Sequence, residues 1–286
     1  MVRHILPFRL ALILVLLALS LPACFVGDFL GTYFNTYYNA SHLFAQAEEE
    51  IWNQPDTRLA GRNLFALTTI PAGARSKLTT VVEKCSKLLQ DHPTSQYVDD
   101  ALLMIGKAFF YQGDFTRAER KFKELQESYP KSDLVMESRV WMAYSEYREN
   151  NPAKAEETAK RVLDEAKQEG DRESESYVAL LLGKIHADRF DYAGSSAFYE
   201  IAGAEGGNSD LRASAFFTAG DMYLSEGDST HAYSMYVKAG DETSNYLNEY
   251  RARLGQAKAL ARLGRGNDAL DMLSDLRQNS NYKEYW

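Results

Sequence analysis

Leu102–Pro130 reads LLMIGKAFFYQGDFTRAERKFKELQESYP. Large apolar residues at helical spacing lead up to Gly113, and a second helical pattern carrying Ala118, Phe122 and Leu125 follows it, which predicts two antiparallel helices joined by a tight turn. The pattern returns along the chain. Ala118, Ala155, Ser195, Ala232 and Ala269 are small residues 37, 40, 37 and 37 apart. Gly106, Ala143, Gly183, Gly220 and Ala257 keep that beat twelve residues upstream, and Phe122, Ala159, Tyr199, Tyr236 and Leu273 keep it four downstream. A further column, Leu125, Val162, Ala202, Ala239 and Leu276, holds it at seven. Small residues suit helix crossings, large ones fill between them, and a repeat array of this kind works through a surface more than through a pocket.

At these spacings Leu102, Ile105, Gly106, Phe109, Gly113, Phe115, Ala118, Phe122, Leu125 and Pro130 resemble the tetratricopeptide repeat (TPR). The resemblance implies an all-α solenoid, a right-handed superhelix of antiparallel helix pairs. Ala219, Gly220, Tyr223, Gly227, Ala232, Tyr236 and Ala239 repeat the pattern in a fourth unit, and the third keeps Leu182, Gly183, Tyr192, Tyr199 and Ala202 with His186 in the aromatic slot. In the second, Asn150 replaces the turn Gly; the fifth keeps Gln256, Ala257, Leu260, Gly264, Ala269 and Leu273. A usual unit has about 34 residues, so the surplus is expected in loops near Tyr129 to Asp133 and Asn245 to Glu249. One period upstream, Val81, Cys85 and Leu88 mark a degenerate sixth unit. Its partner helix is expected on the stripe Tyr33, Tyr37, Phe44 and Ile51, which makes Asn53 to Pro71 a long inserted loop and gives about twelve helices in all. The chain thus divides into a signal segment at 1–23, an N-terminal helix, insert and degenerate repeat at 24–98, and five units at 99–286.

Arg3, His4 and Arg9 precede an apolar run from Leu10 to Leu21, the layout of a secretory signal. Leu21-Pro22-Ala23-Cys24 then resembles the bacterial lipobox, which implies lipidation of Cys24, with Pro22 where a small or aliphatic residue is usual. Ordinary cleavage after Ala23 and a retained membrane anchor are the alternatives. Phe25 in place of Asp after the lipidated Cys favours the outer membrane, facing the periplasm. Cys24 and Cys85 are the only cysteines, so no disulfide framework exists, and Cys85 reads as a small buried hydrophobe. With 45% apolar and 25% charged residues the chain is ordinarily ordered, and a formal charge of -8 argues against nucleic acid as a partner.

Catalytic constellations are missing from the sequence: it holds no HExxH, GxSxG, Walker loop or Cys/His cluster with metal spacing. Gly264-Arg265-Gly266-Asn267-Asp268-Ala269 resembles a dinucleotide loop but follows a helix pattern, so it reads as a repeat turn. His4, His42, His92, His186 and His231 are dispersed. No enzyme activity, metal, cofactor or small-molecule substrate is therefore expected.

By the TPR resemblance the first helix of each pair lines the concave face. The residues it places there are Lys107 and Tyr111, then Tyr144, Tyr147 and Arg148, then Lys184 and Asp188, then Asp221, and finally Lys258 and Arg262. Lys107, Lys184 and Lys258 share one column, a row of cations expected to attract a partner's carboxylate, with an ordinary solvated helix face as the alternative. Across residues 24 to about 280 the chain resembles secreted TPR lipoproteins of the bacterial envelope, among them the TPR subunit of the outer-membrane barrel-assembly machine. That implies a non-enzymatic scaffold, lipid-anchored and docked on envelope proteins or peptides. A periplasmic peptide- or substrate-binding module, and an enzyme hidden in the insert, are the other readings. Tyr282, Tyr285 and Trp286 look like the opening of a further first helix, so the array is expected to continue or to be covered by a partner there.

Overall fold

A computed structural model describes residues 36–285. Cys24, Tyr33, Phe34 and Trp286, with the expectations attached to them, lie outside the described residues. Helix α1 (36–52) is followed by the short α2 (Pro55–Leu59), a 3-10 turn (Leu64–Ala66) and α3 (Ala72–Asp91). Five pairs come next: α4 (Val98–Tyr111) with α5 (Phe115–Ser128), α6 (Val135–Arg148) with α7 (Pro152–Glu169), α8 (Arg172–Asp188) with α9 (Tyr192–Glu205), α10 (Ser209–Glu226) with α11 (Ser229–Glu242), and α12 (Tyr246–Arg262) with α13 (Gly266–Gln278). Twelve long helices and no strand are found among the described residues, the all-α solenoid that the columns predict. Each helix from α3 onward packs on its sequence neighbours, and contacts of α4 with α6, α6 with α8 and α10 with α12 align the first helices along one inner face.

The sequence columns are the packing surfaces. A Cβ on Gly106 would lie 2.4 Å from the Phe122 ring, and one on Gly220 would lie 2.7 Å from the Tyr236 ring, so these two rings rest on the bare backbone of the first helix of their pair. Ala118, Ala155, Ser195 and Ala232 are wholly buried at the crossings, and Ser195 Oγ donates to the Gly183 carbonyl at 2.8 Å. Leu in place of Ala118 or Ala232 is expected to overpack its crossing by about 1–3 kcal/mol, which a thermal melt followed by circular dichroism will register as a lowered midpoint. An unmoved midpoint would mean that the small column does not mark the crossings.

Turn chemistry repeats with the same fidelity. Gly113, Gly227 and Gly264 adopt positive φ between the helices of a pair, and Asn150 and Phe190 hold the same left-handed conformation in the second and third units. The following Asp114, Asn151, Asp191 and Asp228 then cap the second helix, each side chain accepting from the backbone N–H three residues on. Two expectations need correcting. Residues 129–133 do form a loop, but Asn245 caps α12 by accepting from Leu247 and Asn248, so 246–249 are helical. The surplus residues instead lengthen helices: α7, α8, α10 and α12 run to 18, 17, 18 and 17 residues against 14 in α4.

The degenerate pair is α1 with α3. Phe44 and Ile51 of α1 share the core with Ala74, Leu78 and Val81 of α3, and Lys77 reaches Glu50 at 2.5 Å. Cys85 is buried there, and burial pushes its thiol up to about 12. The long insert expected at Asn53 to Pro71 lies between α1 and α3 and is ordered: α2 and the 3-10 turn structure it, and Thr57, Leu64 and Leu67 are buried. Near the other end, Tyr282 is 1% exposed and packs its ring against Tyr246 and Tyr250 of α12 in a 3-10 turn (Ser280–Tyr282), not in the opening of a further helix.

Candidate functional site

Position 107 on α4 faces two acidic helices. Lys107 Nζ lies 3.1 Å from Glu48 of α1 and 3.2 Å from Glu137 of α6, with the rings of Phe44 and Trp141 at 5.2 and 5.0 Å. Burial by itself would pull this ammonium down, but the two carboxylates more than offset that and hold its pKa above the ordinary lysine value. Tyr111, one turn on, is buried and donates to Glu48 at 2.7 Å, while the Trp141 indole N–H donates to Glu137 at 3.1 Å. Lys107 is therefore neutralised inside a closed network, and its charge is already committed to this chain's own carboxylates.

The other inner-face residues are dispersed in role. Tyr144 is buried, and its hydroxyl donates to the Tyr177 carbonyl at 2.7 Å. Tyr147 donates to Asp188, to which Lys184 is also paired. Arg148 lies over the Phe115 ring and reaches the Leu67 carbonyl at 3.5 Å. Asp221 accepts from the Tyr236 hydroxyl at 2.6 Å, and burial raises its pKa. Arg262 donates to the Leu224 carbonyl at 2.5 Å. Of the three column lysines only Lys258 is exposed and without an ion pair among the described residues. Within the column, then, Lys107 is paired with carboxylates of α1 and α6 and Lys184 with Asp188 of its own helix, while Lys258 stands open to solvent.

Segment 53–71 lies across this inner face. Phe65 sits 5.3 Å from the Tyr144 ring and 5.5 Å, edge on, from Tyr147. Leu59 presents its carbonyl to Asn248 Nδ2 of α12 at 2.9 Å, and Gly61, at φ 60°, presses on the start of α10 so closely that a Cβ would fall 1.9 Å from the Leu211 nitrogen. Contacts thus run from α6 to α12 through one stretch that sequence spacing leaves unassigned. The available signals were Gly61 and the apolar Leu64-Phe65-Ala66-Leu67, which together read as a turn feeding an anchor.

Between α1, this segment, α4, α6 and the start of α8 is a cavity of about 320 Å³. Trp52, Tyr111, Trp141 and Tyr177 give it aromatic walls, and Leu64, Met136 and Val140 add aliphatic ones. Glu48, Glu137, Asp133, Asp171 and Glu173 face it alongside the cations Lys107 and Arg62. Burial and then the Glu173 charge push the Tyr177 hydroxyl up to about 12. His186 lies elsewhere, packed on Phe198 with Nδ1 2.7 Å from Asp191, so it joins no catalytic group here. Sequence spacing missed Glu48, Trp52, Glu137 and Tyr177, since their convergence depends on how α1 is set against α4, α6 and the start of α8.

Residues 100–132 match the family described as Tetratricopeptide repeat, the same stretch as the first helix pair. Among solved structures, BtubC (BKLC) from P. vanneervenii is 16% identical and superposes with a TM-score of 0.53 over 72% of this chain and 91% of that one. The apo quorum sensor NprR from B. thuringiensis is 12% identical, with a TM-score of 0.51 over 90% and 79% of the two chains. The Rap conjugation gene regulator of plasmid pLS20, solved in complex with the Phr* peptide, is 14% identical with a TM-score of 0.50 over 74% and 60%. These likenesses establish the TPR-like fold. No curated protein matches the sequence.

Proposed function

We propose that the chain is a non-enzymatic protein-interaction scaffold of the bacterial envelope, anchored through lipidated Cys24, whose inner face holds a segment of a partner protein. The observation that carries this reading is segment 53–71: the inner face already grips an irregular stretch of polypeptide through stacked rings and backbone carbonyls, the means by which a repeat surface holds a peptide. The Rap regulator of similar fold is described with a bound peptide, which is in keeping with it. The envelope assignment, at the outer membrane on its periplasmic side, rests on the signal and lipobox pattern of residues 3–25, with outer-membrane protein assembly as the process to which the resemblance points.

A photoreactive residue at exposed Lys258 should give discrete adducts with envelope proteins in detergent-solubilised membranes. Absence of any adduct there and at Tyr147 would remove the scaffold reading. Cys24→Ser is expected to abolish acyl labelling and shift the protein from the membrane to the soluble fraction or stall its precursor. Unchanged fractionation without acyl label in the parent chain would defeat the anchor. A periplasmic peptide- or substrate-binding module is the second reading, favoured by the cavity, whose volume lies at the lower end of the range for ligand pockets, about 300–1,000 Å³.

A further inference from the structure

The cavity beside Lys107 combines two features that recognise the same chemistry. Carboxylates outnumber cations in its lining five to two, and its walls present the faces and edges of Trp52, Tyr111, Trp141 and Tyr177. Glu48 and Glu137 are used by Lys107, whereas Asp133, Asp171 and Glu173 form no ion pair among the described residues. Lys107 itself shows how the site treats a cation, since its ammonium is held between two carboxylates and beside two aromatic rings.

We propose that this cavity binds the ammonium or guanidinium tip of a basic side chain on a partner segment, its charge facing Asp133, Asp171 and Glu173 and its alkyl stem lying along Trp52, Met136 and Val140. The proposal rests on the scaffold reading above and names the chemistry of the segment held. It also reverses the expectation from the lysine column, because at this end of the inner face the surplus charge is negative. Amphipathic Lys and Arg side chains suit such a lining, having an apolar stem for the aromatic wall and a charged tip for the acidic rim. Asp171 keeps this arrangement rigid from one side, since one of its oxygens accepts from the Ser174 N–H at 3.1 Å to cap α8.

Two of the chain's three tryptophans, Trp52 and Trp141, line the cavity, so intrinsic fluorescence of the full chain in detergent reports on its occupation. The probes are a capped Gly-Lys-Gly-Lys-Gly peptide, the same peptide with norleucine or Glu for Lys, and cadaverine. The lysine peptide should shift the emission, and its binding should weaken with added salt, while the norleucine and Glu peptides leave the emission unchanged. Asp133→Asn with Glu173→Gln, at two exposed positions, should weaken the lysine peptide about tenfold while leaving the melting midpoint unmoved. Cadaverine binding as tightly as the peptide would support the cation chemistry and assign its source to a free diamine. No emission change with the lysine peptide at millimolar concentration, equal binding of the Glu peptide, or an unaltered affinity in the double variant would each overturn the proposal. Failure of the scaffold reading is separately visible: it would show as absent cross-linking at Lys258 and Tyr147 in a chain that still takes up the lysine peptide. Persistent cross-linking with no peptide response would remove the cavity site alone.

Discussion

Tyr236→Ala is expected to destabilise the chain by about 3–5 kcal/mol, the range for deleting a buried aromatic ring. Tyr236 is fully buried on α11 and its ring is clasped from both sides: a Cβ on Gly220 of α10 would lie 2.7 Å from it, and one on Gly255 of α12 would lie 2.5 Å away. The two glycines that border the space have no side chain with which to fill it. Its hydroxyl also supplies the 2.6 Å hydrogen bond to Asp221, whose carboxyl burial already raises above the usual range. Each repeat is stabilised by its interfaces with the next, so the loss falls on α10 to α13 first. The melting midpoint should drop by roughly 10 °C, given about 2–4 °C per kcal/mol for a chain of this size. Amide exchange should show α10 to α13 opening ahead of α4 to α8. Tyr236→Phe keeps the ring and orphans Asp221, so it should cost only about 1–3 kcal/mol. A midpoint for Tyr236→Ala within a degree of the parent would show that the ring does not couple the two helices.

That prediction draws on residues visible in the sequence, since Gly220 and Tyr236 belong to two of its repeating columns. Gly255 does not. The periodic part of the fold was legible because the helix pairs solve one local problem by shared means: a bare backbone opposite a ring at Gly106, Gly183 and Gly220, a left-handed turn in all five, and an Asp or Asn cap in the first four. Phe190 shows where the pattern stops informing, for a bulky residue holds the left-handed turn position and is 75% exposed. The candidate site was less legible for a related reason. Periodicity reports which residues share a face, but not what an aperiodic segment lays across it, nor which charges from α1 and α6 meet Lys107. A column of three lysines read alone suggests a basic groove. With Glu48 and Glu137 within 3.2 Å of the first lysine, the groove is acidic at that end.

Gly61→Ala is expected to release segment 53–71 from the inner face. Two costs coincide at this residue. Its φ of 60° lies in the left-handed region, where a Cβ adds about 1–2 kcal/mol. The Cβ would also fall 1.9 Å from the Leu211 nitrogen and 2.4 Å from the Asp210 carbonyl carbon, backbone atoms at the start of α10 that no rotamer change can move aside. Gly113→Ala separates the two effects, because Gly113 has φ 83° and open space where its Cβ would stand. Displacing residue 61 would pull the Leu59 carbonyl from Asn248 and draw Phe65 from between Tyr144 and Tyr147. Arg58 and Arg62 flank the contact, so trypsin reads its opening directly. Cleavage that follows the open population should accelerate by about tenfold or more in Gly61→Ala, equivalent to at least about 1.4 kcal/mol, and should stay near the parent rate in Gly113→Ala. If the inner face is a peptide-holding surface, the same variant should also give more partner adducts at Tyr147, since Phe65 would no longer cover that ring. Parent-like cleavage in Gly61→Ala would mean that the segment is held by Leu64 and Leu67 alone, and that α10 is a neighbour of the segment and not its anchor.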